Sequence, residues 1–348
     1  QRAQANPCLI PFGTVHAAMD GLTDEVARLV NLGVKGIKMH PDSQRFSIDD
    51  LRLYCDPEAT KLKEELARVY DKKSSQIFVS NGSDDILNFA FLAFGADGIL
   101  FPDISYGFYE VFANLHGLPY ETVPLKADFS IDESDYCGKG KLVVIANPNA
   151  PTGMALSLKK IEKILKSNPD NVVLIDEAYV DFGGESCAKL TEKYDNLLCV
   201  QTFSKSRSMA GARLGFAIAS EELIADLEKI KYSTNPYNVN ALTQAAGVAA
   251  LEENGYYMRN CRRIIKTRNY TKKALESLGF TVLNSKANFL FAKCEQLSGL
   301  ELYLRLKEKG VLVRHFEKER IRDFNRITIG SQKEMEAFIA AVKEILGA

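Results

Sequence analysis

Lys205 and Asp176 are the residues whose types and positions most directly suggest chemistry. Asp176 follows the apolar run 172–175, and Lys205 ends the motif 202–205, which follows a second apolar run at 197–200. Neither run has the three-to-four residue spacing of an amphipathic helix, so both are predicted to be strands covered on both faces. In open α/β sheets, ligands bind beyond the carboxyl ends of such strands. The arrangement suits a Schiff-base lysine that faces a carboxylate.

Lys205 and Asp176 could supply the two groups that a pyridoxal phosphate cofactor needs. An amine is nucleophilic near neutral pH when it is desolvated or has a cationic neighbour, and an acid beside the ring nitrogen keeps that nitrogen protonated. Each signal alone is weak, because a Ser-Lys pair is usually a surface feature and an Asp-Glu pair after a strand is often a helix start or a metal ligand. The two motifs together indicate a cofactor site only if other motifs in the sequence support it.

A predicted turn from strand to helix supplies some of that support. Ser83 and Asp84 follow the short strand that ends near Ser80, and the turn passes through Gly82 into the apolar stretch 86–92. Helix N-termini bind phosphate through their unpaired backbone N–H groups. An ordinary N-cap with acids in the first turn would have the same sequence.

The remaining candidates are an aromatic residue, an amide and a cation. They are Tyr106 in 102–107, Asn149 in the segment 147–153, and Arg213 in 211–215. An aromatic face, a turn with amides and a fixed cation suit a flat phosphorylated ring. Taken singly, Tyr106 also fits a core tyrosine, the segment of Asn149 fits a Pro-Gly turn, and Arg213 fits a solvated arginine.

In this order and spacing the motifs resemble the fold-type I pyridoxal-phosphate aminotransferases, and within them the histidinol-phosphate aminotransferase family, over about residues 51–347. The resemblance implies an α/β fold with a large, mostly parallel-sheet domain and a smaller α+β C-terminal domain. We expect a β-α-β fragment at 1–50, an N-terminal segment at 51–74, the cofactor-binding domain at 75–238, and a linking helix with the small domain at 239–348.

The resemblance also implies roles for single residues. Lys205 would bind the cofactor and shuttle a proton, Asp176 would partner the pyridine nitrogen, and Tyr179 would donate to the ring hydroxyl. Tyr106 would stack on the ring. The residues expected to hold the cofactor phosphate are Ser83, Asp84, Ser204 and Arg213. Tyr54 would reach the phosphate of a neighbouring subunit, so a homodimer is expected.

Substrate contacts are implied near the C-terminus. Arg326 and Arg314 lie in segments that resemble those whose arginines clamp anionic substrate groups, and bidentate anion recognition favours arginine over lysine. Asn288 lies in an Ala-Asn-Phe segment that the family places near the substrate. Arg314 alternatively fits a charged residue at the end of an exposed edge strand.

Two features depart from the family pattern. Ala150 stands where the family has an asparagine that donates to the ring hydroxyl, so either Asn149 replaces that contact through a changed turn or the contact is missing. The Asn-rich, Pro-Gly-containing loop that covers the substrate in the family is also missing before Tyr54. We therefore expect retained cofactor binding with impaired activity.

Residues 1–50 read as strand, helix, strand and resemble a β-α-β portion of a metal-dependent amidohydrolase barrel. A catalytic metal needs three or more ligands on a closed scaffold, and a barrel needs eight such units. His16 and His40 are therefore predicted to be remnants of a parent site, and no metal is expected.

Composition fits a soluble enzyme of about two domains. The 348 residues are 46% hydrophobic and 26% charged with a formal net charge of −1, which favours neither nucleic acid nor membrane. With no signal-like N-terminus and no apolar run long enough to span a bilayer, a cytoplasmic location is expected. The seven scattered cysteines are predicted to be reduced thiols.

The leading hypothesis is a pyridoxal-phosphate aminotransferase of histidine biosynthesis that exchanges the amino group of L-histidinol phosphate with 2-oxoglutarate. Its partners would be a small-molecule amino donor and a 2-oxo acid. An aromatic amino acid aminotransferase and a threonine-phosphate decarboxylase use the same scaffold, and fold alone does not fix function. A catalytically dead dimer that still binds the cofactor, and a metal hydrolase centred on His16 and His40, are the alternatives from other classes.

Overall fold

The structure, a computed structural model, describes residues 52–347 and the backbone of two short strands near the N-terminus. These strands, β1 (Phe12–Val15) and β2 (Gly36–Met39), pair in parallel, as the strands of a β-α-β unit do. The rest of the predicted fragment, with His16 and His40, lies outside the described residues. A parallel pair does not identify a barrel, so the resemblance to an amidohydrolase has no support here.

A seven-stranded sheet forms the larger part of the fold. Its strands are β3 (Ile77–Ser80), β4 (Ile99–Pro102), β5 (Tyr120–Val123), β6 (Leu142–Ala146), β7 (Val173–Asp176), β8 (Leu197–Thr202) and β9 (Gly215–Ile218), in the order β3-β9-β8-β7-β6-β4-β5. Strands β4 to β8 run parallel, and β9 runs antiparallel to β3 and β8. The two apolar runs predicted as strands are β7 and β8, and both are buried throughout.

Helices pack against this sheet and connect it to the C-terminal part. They are α1 (Thr60–Tyr70), α2 (Ser83–Phe94), α3 (Phe108–Leu115), α4 (Leu158–Ser167), α5 (Glu221–Thr234), α6 (Ala241–Glu252), α7 (Asn254–Ser277), α8 (Gly299–Glu308) and α9 (Gln332–Leu346). Ser220, Asn240 and Ser331 cap α5, α6 and α9 by accepting first-turn N–H groups. Of the helices described, none is both long enough and apolar enough to cross a membrane.

A four-stranded antiparallel sheet forms the smaller part. Its strands are β10 (Phe280–Val282), β11 (Phe289–Cys294), β12 (Arg314–His315) and β13 (Phe324–Thr328), in the order β10-β11-β13-β12. Helices α7, α8 and α9 pack on it, and Leu290, Ile327 and Phe338 lie in its core. The predicted fold class, a large mostly parallel sheet followed by a smaller α+β part, is confirmed.

Candidate active site

The carboxyl ends of the parallel strands meet at one cleft, as expected for an open α/β sheet. The residues at and after those ends that line the cleft are Ser83, Asp84, Tyr106, Pro148, Ala150, Asp176, Tyr179, Thr202, Ser204 and Lys205. Arg213, which precedes β9, and Arg326, on β13 of the smaller sheet, also line it. The structure therefore brings together most of the residues that the sequence assigned to one site.

Asp176 ends β7 at the bottom of this cleft and is only 6% exposed. One carboxylate oxygen accepts from the Tyr109 hydroxyl at 2.8 Å, and the other accepts from the Ala178 N–H at 3.1 Å. Burial raises the pKa of Asp176 to about 6, while the two hydrogen bonds and the charge of Lys205 act in the opposite direction. The carboxyl group therefore changes protonation state just below neutral pH.

Lys205 follows β8, and its side chain is exposed to the cleft. Its Nζ atom lies 5.5 Å from the centroid of the Tyr179 ring. Tyr179 in turn packs edge-on against Phe289, with 5.1 Å between the ring centroids. The amine thus projects into open space above a fixed aromatic ring, where it can reach a carbonyl carbon of a bound molecule.

The N-terminus of α2 forms one end of the cleft. Gly82 precedes it at a φ of 84°, and among the described residues no side chain caps its first turn. L side chains rarely adopt this φ, so the backbone favours glycine here, and a Cβ on Gly82 would also lie 2.6 Å from a guanidinium nitrogen of Arg213. Because free N–H groups and a guanidinium adjoin here, this end of the cleft suits a phosphate.

Asp84 connects two neighbouring side chains at this end. Its carboxylate accepts from the Tyr106 hydroxyl at 2.9 Å and from Arg213 at 2.8 Å. Arg213 has a left-handed backbone (φ 56°), a strained conformation for a non-glycine residue that often marks a functional site. Asp84 therefore orients Tyr106 and Arg213, which leaves the α2 N–H groups and Arg213 as the candidates for binding a phosphate.

Asn149 is not brought to the cleft. Its side-chain amide donates to the Ile104 carbonyl at 3.0 Å and to the Thr152 hydroxyl at 3.1 Å, and its oxygen accepts from Ser105 at 2.8 Å. Because these partners use both N–H groups of the amide, Asn149 fixes the turn, and Ala150 lines the cleft instead. The structure thus gives the predicted contact from Asn149 to a cofactor no geometric support.

The predicted substrate residues occupy different surroundings. Arg326 lines the cleft, and its guanidinium carbon lies 5.2 Å from the Phe289 ring centroid. Arg314 is exposed but is the register partner of Arg326 across β12 and β13. Asn288 is half-buried just before β11. Tyr54 is 83% exposed, stacks on Tyr237 at 4.5 Å, and does not line the cleft of its own chain.

The lining fits a flat phosphorylated pyridine. The α2 N-terminus and Arg213 suit its phosphate, a buried carboxyl with a raised pKa suits its ring nitrogen, and Lys205 suits its carbonyl carbon. Tyr106 is half-buried beside them, and burial raises the pKa of its hydroxyl, so it stays a neutral donor. The residues present therefore fit the predicted cofactor.

A second cluster of potential metal ligands lies outside the cleft. Glu177, Cys187 and Cys199 are fully buried with their ligand atoms within 4.8 Å of one another. Glu177 accepts from the Cys187 N–H at 2.6 Å and from Gln201 at 2.9 Å. Burial raises the pKa of both thiols, that of Cys199 to about 11, so in the metal-free protein both are neutral near pH 7.

Sequence reasoning missed Tyr109 and Thr202. Tyr109 is fully buried in the first turn of α3 and bonds Asp176, 67 positions away in sequence. Thr202 ends β8, and its hydroxyl accepts from the Ser204 N–H at 3.1 Å, which shapes the turn before Lys205. Tyr109 had one weak signal, a second tyrosine three positions after Tyr106.

Comparison with known proteins is consistent with this site. A family model described as aminotransferase class I and II matches residues 35–342. A histidinol-phosphate aminotransferase from Brachyspira hyodysenteriae is 50% identical over 303 residues, or 86% of each chain. The crystal structure of the histidinol-phosphate aminotransferase from Clostridium acetobutylicum has a TM-score of 0.79 at 28% identity, with 86% of this chain and 92% of that chain covered. The Sinorhizobium meliloti histidinol-phosphate aminotransferase in complex with pyridoxal-5'-phosphate has a TM-score of 0.78 at 23% identity, with 87% and 85% covered.

Proposed function

Because the chain belongs to the class I and II aminotransferase family, whose members depend on pyridoxal 5'-phosphate, we propose that it transfers the amino group of L-histidinol phosphate to 2-oxoglutarate. The products would be imidazole acetol phosphate and glutamate, in histidine biosynthesis. The observation that carries the proposal is the convergence of Lys205, buried Asp176 and the α2 N-terminus on one cleft. The 50% identity to a histidinol-phosphate aminotransferase supports the choice of amino donor.

Each residue of the cleft has a separate role in the proposed reaction. Pyridoxal 5'-phosphate supplies the electron sink for the bonds that change at the substrate α-carbon. Asp176 holds a proton at the pyridine nitrogen, and Tyr109 keeps the carboxylate oriented through its 2.8 Å hydrogen bond. Lys205 Nζ would carry a proton between the substrate α-carbon and the cofactor carbon that receives the amino group. Tyr179 donates to the ring hydroxyl, and Tyr106 covers the ring face.

Anion recognition comes from both sheets. Ser83, Ser204 and Arg213 hold the cofactor phosphate at the α2 N-terminus, with Asp84 orienting Arg213. Arg326, on the smaller sheet, binds the anionic group of the substrate, with Arg314 beside it on β12. Asn288 lies just before β11, the strand on which Phe291 is the register partner of Arg326. Guanidinium groups provide the bidentate geometry that phosphates and carboxylates need.

The working unit we infer is a homodimer. Tyr54 is 83% exposed and lies outside the cleft of its own chain, so it is available to a neighbouring subunit. In the dimer it would reach the cofactor phosphate of the partner. The site would then be complete only when two copies associate.

The proposal is tested by the rates of glutamate formation from 2-oxoglutarate with different amino donors. We expect L-histidinol phosphate to have the highest kcat/KM, above L-phenylalanine, and O-phospho-L-threonine to release no carbon dioxide. A preference for phenylalanine, or release of carbon dioxide, would assign the chain to another reaction on this scaffold. Cofactor binding without transfer from any donor would indicate a catalytically dead dimer.

A further inference from the structure

Arg268 lies outside the cleft in the middle of α7, yet it contacts both parts of the fold. The residue is buried, with only 5% of its surface exposed. Within the described part of the chain, no carboxylate forms a salt bridge with it, and burial lowers the pKa of its guanidinium. Burying a charged group is costly unless its hydrogen bonds are well satisfied, so the acceptors of Arg268 decide how it is held.

Those acceptors are two backbone carbonyls from different parts of the protein. The Nη1 atom of Arg268 donates to the Phe182 carbonyl at 2.8 Å and to the Ala287 carbonyl at 2.6 Å. Phe182 belongs to the turn after β7 in the larger part, and Ala287 precedes β11 in the smaller part. A single nitrogen with two N–H groups therefore joins the two parts.

Each of the two carbonyls belongs to a segment that is directly connected to a residue of the cleft or of the substrate side. The Phe182 N–H donates to the Tyr179 carbonyl at 3.2 Å, so the turn that Arg268 holds begins at Tyr179. Ala287 is followed by Asn288 and Phe289, and Phe289 packs against Tyr179. Arg326 also lies against Phe289, 5.2 Å from its ring centroid.

The segment before β11 has further anchors that leave little freedom. The Lys286 N–H donates to the Gly153 carbonyl at 2.7 Å, and the Ala287 N–H donates to the Ser285 hydroxyl at 3.0 Å. On the other side, Gly183 has a φ of 108°, and a Cβ there would lie 3.6 Å from a terminal nitrogen of Arg268. The turn after β7 and the segment before β11 therefore both contact the Arg268 guanidinium.

We propose that Arg268 is a positioning residue: it fixes Tyr179 of the cofactor side relative to Asn288 and Arg326 of the substrate side. The inference deepens the proposed function and rests on it, because it concerns the alignment of a substrate with a cofactor in the same cleft. A shift of about 1 Å in such alignment can reduce turnover by about 100-fold. Arg268 itself touches neither reactant.

The test compares Arg268→Met with Leu275→Ala. Methionine keeps much of the length of the side chain and removes both hydrogen bonds. Leu275 is a fully buried residue of the same helix that packs in the core of the smaller sheet, so its truncation controls for lost stability. Arg268→Lys keeps the cation and N–H donors, and it provides a second variant if Arg268→Met does not fold.

We expect Arg268→Met to lower kcat for L-histidinol phosphate by about 30-fold or more, with less than about a threefold change in the dissociation constant for pyridoxal phosphate. Arg268→Lys should recover part of the loss. Leu275→Ala should lower the melting temperature about as much as Arg268→Met does. It should keep kcat close to that of the wild type. Equal loss of kcat in Arg268→Met and Leu275→Ala, or no loss in Arg268→Met, would overturn the proposal.

Hydrogen–deuterium exchange gives a readout that does not need activity. Amide exchange in segments 180–184 and 285–290 should rise by about tenfold or more in Arg268→Met and remain near the wild-type rate in Leu275→Ala. Unchanged exchange in these segments would contradict the positioning role. If the wild type fails to use L-histidinol phosphate while exchange changes as expected, the proposed donor is wrong and the anchoring by Arg268 stands.

Discussion

The hydroxyl of Tyr109 donates a 2.8 Å hydrogen bond to a carboxylate oxygen of Asp176, and both groups are buried. The bond favours the ionised carboxylate, so it opposes the effect of burial on the pKa of Asp176. Tyr109 thereby keeps the acid beside the predicted pyridine nitrogen available as an anion near neutral pH. The contact links the first turn of α3 to the end of β7.

Tyr109→Phe should raise the pKa of Asp176 above its present value of about 6. A hydrogen bond to a charged group contributes roughly 1.5–3 kcal/mol, which corresponds to about one to two pH units. The titration midpoint of the Asp176 carboxyl group in the cofactor-free protein, followed by carbon NMR against pH, should move up by that amount. Tyr136→Phe is a matched control, because the buried Tyr136 hydroxyl has no partner among the described residues. An unshifted Asp176 titration in Tyr109→Phe would count against this role.

The raised pKa of Asp176 predicts a pH-dependent stability of the cofactor-free protein. The carboxyl group titrates at about 6 in the folded chain, against an ordinary value of 3.8 for an unfolded chain, so the folded state binds more protons between these values. Its contribution to stability is full below the unfolded pKa and falls as pH rises through the folded pKa, by about 3 kcal/mol in all.

Asp176→Asn removes the group whose ionisation lowers the stability of the folded protein as the pH rises. The stability of the variant relative to the wild type, measured by chemical denaturation without cofactor, should therefore increase between about pH 4 and about pH 7. Saturating pyridoxal phosphate should reduce the difference, because a protonated ring nitrogen compensates the buried carboxylate. A difference that stays constant with pH would mean that Asp176 does not titrate in this range.

Arg314 and Arg326 stand opposite each other across β12 and β13, and like charges in this relation are destabilising. A bound anion would relieve that repulsion. Arg326→Ala should therefore raise KM for L-histidinol phosphate by roughly 10- to 100-fold, as expected for a lost charged hydrogen bond. The comparison donor is L-histidinol, whose KM should change much less if the arginine binds the phosphate. Equal changes for both donors would assign Arg326 to another group.

The position of Tyr54 predicts a complementation test for the dimer. Tyr54→Phe should weaken cofactor binding, and Lys205→Ala should be inactive. If Tyr54 serves the neighbouring site, subunit exchange between the two variants forms dimers in which one site has both an intact Lys205 and an intact Tyr54. At limiting pyridoxal phosphate the mixture should be more active than the sum of its parts. Additive activity after verified exchange would place Tyr54 outside the neighbouring site.

Much of the fold and the cleft could be predicted from the sequence because its signals are local. The apolar runs before Asp176 and after Asp195 are buried strands of a parallel sheet, so their ends had to meet at one edge. The turn through Gly82 and the cation at Arg213 could likewise be recognised from neighbouring residues. Each of these elements is specified by residues that lie close together in the sequence.

The remaining contacts depend on residues far apart in sequence. Arg268 meets the Phe182 carbonyl 86 positions away, and only the folded chain shows that the arginine lies between two parts of the protein. Asn149 was expected to contact the cofactor, but Ser105 and Thr152 compete for its amide in the folded turn. Such competition between partners for one polar group cannot be read from spacing alone.

The proposed reaction requires Lys205 to bond pyridoxal phosphate in this cleft and the loaded protein to accept the amino group of L-histidinol phosphate. The decisive measurement is the visible absorption spectrum of the protein with pyridoxal phosphate, before and after addition of L-histidinol phosphate, with Lys205→Ala as the control. We predict a Lys205-dependent visible band that is lost on adding the donor and is restored by 2-oxoglutarate. A band that ignores the donor would contradict the proposed reaction, and the same band in Lys205→Ala would contradict the assignment of the lysine.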